Sequence, residues 1–346
     1  MKNSLLKCIP TLLALSVISL NSMAMSDTPE PLPEPIPAPN QTVSIIAIGD
    51  MGTGADGQYQ VSQAIESICK EKACDFAIGL GDNIYDSGVD SINDQQWLTK
   101  FEYPYENLDF PFYMALGNHD NSTFDGEGLN NKKGEFQVDY TYKTDRFSDK
   151  WNMPSRYYRM NAPLNSDTAL INIFALDSNP LAAVTDANPK YSQLPYKKQQ
   201  AEWLQNEFST ATAPWKIAFA HHPFISNGRH GNAGIYDYVP LLGITWFDFM
   251  KDNVCDNVDV FISGHDHDLQ YLKAKDNCGK TEFIISGAGA KTRAFSNANR
   301  NSHYWQKDNT KGFFRLEFKG NTLTVEAYTV ESDTTPTLQY TRTVSK

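Results

Sequence analysis

Five short runs are apolar at nearly every position: VSIIAI (43–48), DFAIGL (75–80), PFYMAL (111–116), WKIAFA (215–220) and VDVFIS (258–263). Each is rich in β-branched or aromatic residues and too short for a globular helix, so each predicts a buried strand. Between the first two, Val61, Ala64, Ile65 and Ile68 recur at i, i+3, i+4 and i+7, the stripe of a helix that covers a sheet. Ala201, Leu204 and Phe208 do the same ahead of the fourth run. Strand–helix–strand order implies a layered α/β arrangement. The C-terminal segment reads differently. FFRLEF, TLTVEAY and TLQYT, between 313 and 341, alternate apolar and polar and are joined by short turns such as Gly320-Asn321, which predicts closing antiparallel strands. With no internal repeat and no second linker, one domain over residues 42–346 is expected.

The N-terminal pattern predicts an address. Lys2 and Lys7 precede an apolar run from Cys8 to Leu20, and Ser22-Met23-Ala24 offers small residues for cleavage. Residues 1–24 therefore read as a signal peptide, placing the protein in a secreted or periplasmic compartment. The run is too short to span a bilayer, so no transmembrane anchor is expected after cleavage. Residues 25–41 follow as a linker with proline at every second position from Pro29 to Pro39, a composition that favours an extended spacer. Cys8 leaves with the signal peptide. Cys69, Cys74, Cys255 and Cys278 remain, an even number in an oxidising compartment. Three pairings are possible; the local ones, Cys69–Cys74 and Cys255–Cys278, are preferred because each pair flanks a short connection. The chain has no CxxC, so a thiolate zinc site is not expected.

Composition narrows the class. Of 346 residues, 40% are hydrophobic and 21% charged, as in a folded soluble protein. Forty-one acids against 30 bases give −11, which argues against nucleic acid as a structural partner. An anionic substrate would need a local positive focus, such as a metal cluster.

The informative residues stand just after the five runs: Gly49-Asp50-Met51-Gly52, GDNIYDSGV from Gly81, Gly117-Asn118-His119-Asp120, His221-His222-Pro223 and Gly264-His265-Asp266-His267. Ligands of open α/β sheets bind outside the carboxyl ends of the strands. Six of the seven histidines, His119, His221, His222, His230, His265 and His267, lie in or just after these motifs. Asp50 or Asp82 alone could be a turn residue or helix cap. Together with the histidines they form the oxygen and imidazole set suited to iron, zinc or manganese. Tyr85 discriminates further, because a phenol binds well only to an ion polarising enough to remove its proton, as ferric iron is.

The motif set GDMG, GDNIY, GNHD, a strand-end His before Pro, and GHDH resembles the purple acid phosphatases, most of all the small tartrate-resistant type, from about Ser44 to Val344. GDxG, GNHD and GHxH separately mark the wider calcineurin-like metallophosphoesterases; the tyrosine of GDxxY narrows the likeness. The resemblance implies an α/β (α+β) metallophosphoesterase fold, a four-layer αββα sandwich of two mixed sheets flanked by helices. It implies Fe(III) held by Asp50, Asp82, Tyr85 and His267. A divalent ion (Fe, Zn or Mn) would be held by Asp82 as bridge with Asn118, His221 and His265. His119 and His230 would contact substrate and move protons. The implied activity is acid hydrolysis of phosphate monoesters by hydroxide held at the two ions. His222 and the stretch 124–137 depart from the pattern: His222 is not assigned as a ligand, and 124–137 reads as a loop beside the cleft. A dimetal phosphodiesterase or nucleotidase is the enzymatic alternative; a non-catalytic surface module would be expected to have lost ligands, and all are present.

Overall fold

The computed structural model describes residues 41–275 and 278–346; the expected signal segment and all of the linker but Gln41 lie outside the described residues. The five apolar runs are all strands, but they belong to two sheets. β1 (Thr42–Ile48), β2 (Phe76–Leu80), β3 (Phe112–Ala115) and β4 (Trp151–Asn152) run parallel in the first. The second holds β5 (Tyr158–Ala162), β6 (Ile171–Ala175), β7 (Trp215–Phe219), β8 (Val260–Ser263), β9 (Leu269–Leu272), β10 (Glu282–Ser286) and β11 (His303–Lys307). The tail strands β12 (Lys311–Lys319), β13 (Thr322–Val330) and β14 (Pro336–Ser345) return to the first sheet. They extend it antiparallel from β1, in the order β14-β13-β12-β1-β2-β3-β4. Both sheets are thus mixed.

Alternation along the strands decides what each side chain covers. Ile173, Ile217, Val260 and Ile262 belong to the core shared with Ile45, Ile78 and Met114 of the first sheet. Their neighbours Phe174, Ala218 and Phe261 pack instead with Leu204, Trp246 and Phe249. Those partners lie on α4 (Gln193–Ser209) and α5 (Ile244–Phe249). The first sheet is covered by α1 (Asp56–Glu71), whose Val61, Ala64, Ile65 and Ile68 are all buried as their spacing predicts. Two short helices complete the set, α2 (Glu135–Thr141) and α3 (Asn179–Ala182). The layers are helix, sheet, sheet, helix.

Both local disulfides form: Cys69–Cys74 ties the last turn of α1 to the loop after it, and Cys255–Cys278 joins the segments that lead into β8 and β10. No described helix is long and apolar enough to cross a membrane. The stretch 124–137 is only partly a loop, since its end enters α2.

Candidate metal centre

The carboxyl ends of β1, β2, β3, β7 and β8 meet at one edge where the two sheets touch. Asp50 N–H donates to the Gly81 carbonyl (3.0 Å), Gly49 N–H to Ser286 (2.8 Å) and Gly264 N–H to His221 (3.1 Å), so the turns are stitched to one another as well as to their strands. Asp50, Asp82 and His265 adopt positive φ of 56°, 52° and 70°. This region is disfavoured for side-chain-bearing residues, and all three are candidate ligands, as expected where strain is retained for a site. Each carboxylate is anchored by a neighbouring turn: Asp50 Oδ2 accepts from His265 N–H and Asp82 Oδ1 from His119 N–H, both at 2.9 Å. Buried Asp120 accepts from Gly117 N–H (2.8 Å), Asn83 N–H (3.0 Å) and Gln137 Nε2 (2.7 Å), clamping the GNHD turn to the GDN turn. Asp266, between two candidate ligands, accepts from His230 N–H (2.8 Å) and the Ser226 hydroxyl.

Two groups of donor atoms result. In one, the Tyr85 hydroxyl lies 3.1 Å from Asp50 Oδ1 and 3.2 Å from His267 Nε2. In the other, His221 Nε2 lies 2.8 Å from Asn118 Oδ1, 3.0 Å from His265 Nδ1 and 3.4 Å from Asp82 Oδ1. Asp82 connects them, since it also engages the Tyr85 hydroxyl. Donor atoms of Asp50, Asp82 and His221 all fall within 4.8 Å of one another. His221 Nδ1 faces the Leu80 carbonyl at 2.9 Å, so in the neutral ring Nδ1 carries the proton and Nε2 is a bare acceptor. Asn118 spends its amide N–H on the Gly126 carbonyl (2.7 Å) and so turns its oxygen inward. Acceptor lone pairs from Asn118, Asp82 and His221 therefore converge with too few protons among them. A buried arrangement of that kind costs free energy unless a cation fills it.

Electrostatics say the same. Burial, helped by the charge of Asp82, raises the Asp50 carboxyl to about 7. Burial also opposes charge on Asp82, but His221, His119 and hydrogen bonds outweigh it and hold Asp82 at about 2. Burial first, then both carboxylates, push the Tyr85 phenol well above its usual value, so the phenolate requires a strong positive charge nearby. Burial and then the adjacent His230 lower His265 well below its usual range, while burial and then Arg293 bring His267 to about 3. Both imidazoles are neutral, the state that binds metal.

Above the cluster lies a cavity of about 260 Å³ lined by Asp82, Asn118, His119, His230, His265 and His267, together with Asp125, Gly126, Lys291 and Arg293. Asp50, Tyr85 and His221 form its buried floor. Outer His230 is held through Nδ1 by Asp237 Oδ1 at 2.8 Å. Burial disfavours its charge, but the Asp237 hydrogen bond outweighs this and raises its pKa. The structure thus brings all nine residues singled out by motif to one place. His222 is outside: its Nδ1 meets the Ser178 hydroxyl at 2.9 Å, and burial holds it neutral behind His265. Sequence reasoning missed Asp237, Gly126, Lys291 and Arg293. Lys291 and Arg293 stand two and four residues past Gly289 in the stretch after β10, where nothing in the chain marks them as more than surface charges.

Comparison with known proteins bears on the family of the chain. The family model described as calcineurin-like phosphoesterase matches residues 43–269, which include every candidate ligand. Tartrate-resistant acid phosphatase type 5 of Mus musculus is 27% identical over 319 residues, covering 85% of this chain and 89% of that protein. Among solved structures, the fold is similar to GAP50, the anchor in the inner membrane complex of Plasmodium. That likeness has a TM-score of 0.69 and 20% identity, covering 88% of this chain and 89% of the other. Purple acid phosphatase PPD1 of yellow lupin (Lupinus luteus) gives 0.60 and 17%, covering 88% of this chain and 54% of the other.

Proposed function

The chain belongs to the calcineurin-like phosphoesterase family, and from that premise we propose that it is an exported acid phosphatase that hydrolyses phosphate monoesters at a dinuclear Fe(III)–divalent centre. The observation that carries this is the convergence of carboxylate, phenol, amide and imidazole donors from five strand ends on two adjoining points. Asp50, Tyr85 and His267 would hold the ferric ion, Asn118, His221 and His265 a divalent ion of iron, zinc or manganese, and Asp82 both. The likeness to an acid phosphatase at 27% identity supports the reading, and the inward-facing phenol of Tyr85 supports ferric iron in particular. When bound, the pair supplies positive charge for phosphate oxygens and acidifies water enough for hydrolysis at low pH.

The chain's own groups do the rest. The cavity admits one small ester, and its buried floor excludes water from the donors. His119 N–H holds Asp82 in place while its ring stands in the cavity. His230 lines the cavity with Nδ1 bound to Asp237 and Nε2 facing the Arg293 guanidinium at 2.9 Å; once that guanidinium turns to a substrate, Nε2 can carry a proton to a leaving alkoxide. Either histidine can also share the charge that develops on the transferring phosphoryl oxygens. Export rests on the N-terminal pattern and fits two disulfides, which persist in oxidising compartments.

A phosphodiesterase or nucleotidase could use the same donors. Comparing p-nitrophenyl phosphate with bis(p-nitrophenyl) phosphate and with nucleotides at acid pH decides between them. The monoester should win by kcat/KM; faster turnover of the diester or of nucleotides would replace this reading. The Plasmodium protein is described as an anchor, but that likeness concerns fold alone. A scaffold would have no use for the converging donors.

A further inference from the structure

Two fixed positive charges stand at the cavity that the ligand set does not use. Lys291 and Arg293 follow β10 and both line the cavity, with Thr292 between them exposed. The Arg293 backbone is tied to the metal-binding turn, its N–H donating to the His267 carbonyl at 2.8 Å. Its guanidinium donates to His230 Nε2 at 2.9 Å, and among the described residues it has no carboxylate ion-pair partner. Lys291 Nζ sits 3.5 Å from the centre of the Tyr85 ring, and its acidic neighbour, Asp86 at 3.7 Å, is largely solvated. Surface cations ordinarily neutralise carboxylates or extend into water. These two are retained over a centre that would already be cationic once loaded.

One phosphate on the metal ions does not require two further cations. We infer that Lys291 and Arg293 form a second anion subsite, which selects phosphate monoesters whose leaving group carries another anionic group, carboxylate or phosphate, a few bonds from the scissile ester. The guanidinium offers paired N–H donors for such a group, and the ammonium adds a point charge beside it. This rests on the monoesterase reading above and adds the substrate class.

The test uses metal-loaded, signal-cleaved protein and three substrates on one three-carbon skeleton: glycerol 3-phosphate, 3-phosphoglycerate and glycerol 1,3-bisphosphate. Wild type should favour at least one doubly anionic substrate over glycerol 3-phosphate by about tenfold or more in kcat/KM, chiefly through KM. Whichever is favoured identifies the second group as carboxylate or phosphate. The ratio should collapse toward one in K291Q/R293Q and partly survive in R293K. Calorimetry gives a readout independent of turnover: wild type should bind phosphonoacetate more tightly than methylphosphonate, and K291Q/R293Q should lose that margin. Equal ratios in wild type and the double variant, by both measures, would overturn the subsite while leaving the monoesterase intact. Failure to hydrolyse any monoester would instead overturn the proposed function, and the calorimetric comparison would still judge the subsite.

Discussion

Gly126 gives the sharpest test of how the cavity is held. It has φ of +79°, and a Cβ there would stand 2.4 Å from His119 Nε2 and 2.5 Å from Cε1. Gly126→Ala therefore does two separable things. The left-handed backbone costs about 1–2 kcal/mol for any residue with a Cβ, roughly a 2–8 °C fall in Tm for a chain of this size. The new methyl also falls about 1 Å short of an ordinary ~3.5 Å contact, so the His119 ring or the loop must move by that much. Loop movement would disturb Asn118 too, because its amide donates to the Gly126 carbonyl. A displacement of that size at a catalytic group costs about 10²-fold in rate. Gly320→Ala is the control: φ is +52° with nothing within 4 Å of the added Cβ, so it should lose stability and keep activity. The assays are thermal melts and kcat/KM on p-nitrophenyl phosphate for both variants at matched metal content. A Gly126→Ala protein as active as Gly320→Ala would show that His119 is not positioned as described.

Two further outcomes follow from the electrostatics. Asp237→Asn removes the partner that raises His230, so the alkaline limb of the kcat/KM profile should move to lower pH; an unmoved limb would mean His230 is not the titrating acid. Metal removal should make stability pH-dependent. The Asp50 carboxyl, normally near 3.8, is raised to about 7 in the metal-free fold. Its contribution is therefore fully present below about pH 4 and lost as pH rises through 7. Asp120, also raised to about 7 by burial and then by the charge of Asp82, adds to that slope in the stripped protein. The Tm gap between loaded and stripped protein should accordingly widen from pH 4 to 7, and a constant gap would contradict cation binding at Asp50.

Much of this was legible along the chain because buried strands have nowhere to place polar residues. β1, β2, β3, β7 and β8 read as apolar runs, and the aspartates, asparagine and histidines at their ends had to be solvated, strained or functional. What the runs could not show was their division between two sheets. They look alike, and the partition depends on β5 and β6, through which the chain enters the second sheet. β5 and β11 carry half-buried polar positions, so neither has a clean period. β4 is two residues long, too short to leave any pattern. The tail was legible as antiparallel strands but not as an extension of β1, a pairing set by register across most of the sequence. Within the site, the motifs point to donors, whereas Lys291 and Arg293 look like ordinary surface charges until the fold places them at the cavity.

The central claim is that Tyr85 and Asp82 hold two unlike ions side by side. Metal analysis and a visible spectrum of the purified protein, compared with Tyr85→Phe, test it in one measurement. Two ions per chain, one of them iron, with a visible charge-transfer band that disappears in Tyr85→Phe, is the predicted result. A single ion, or a spectrum that the substitution leaves unchanged, would contradict it.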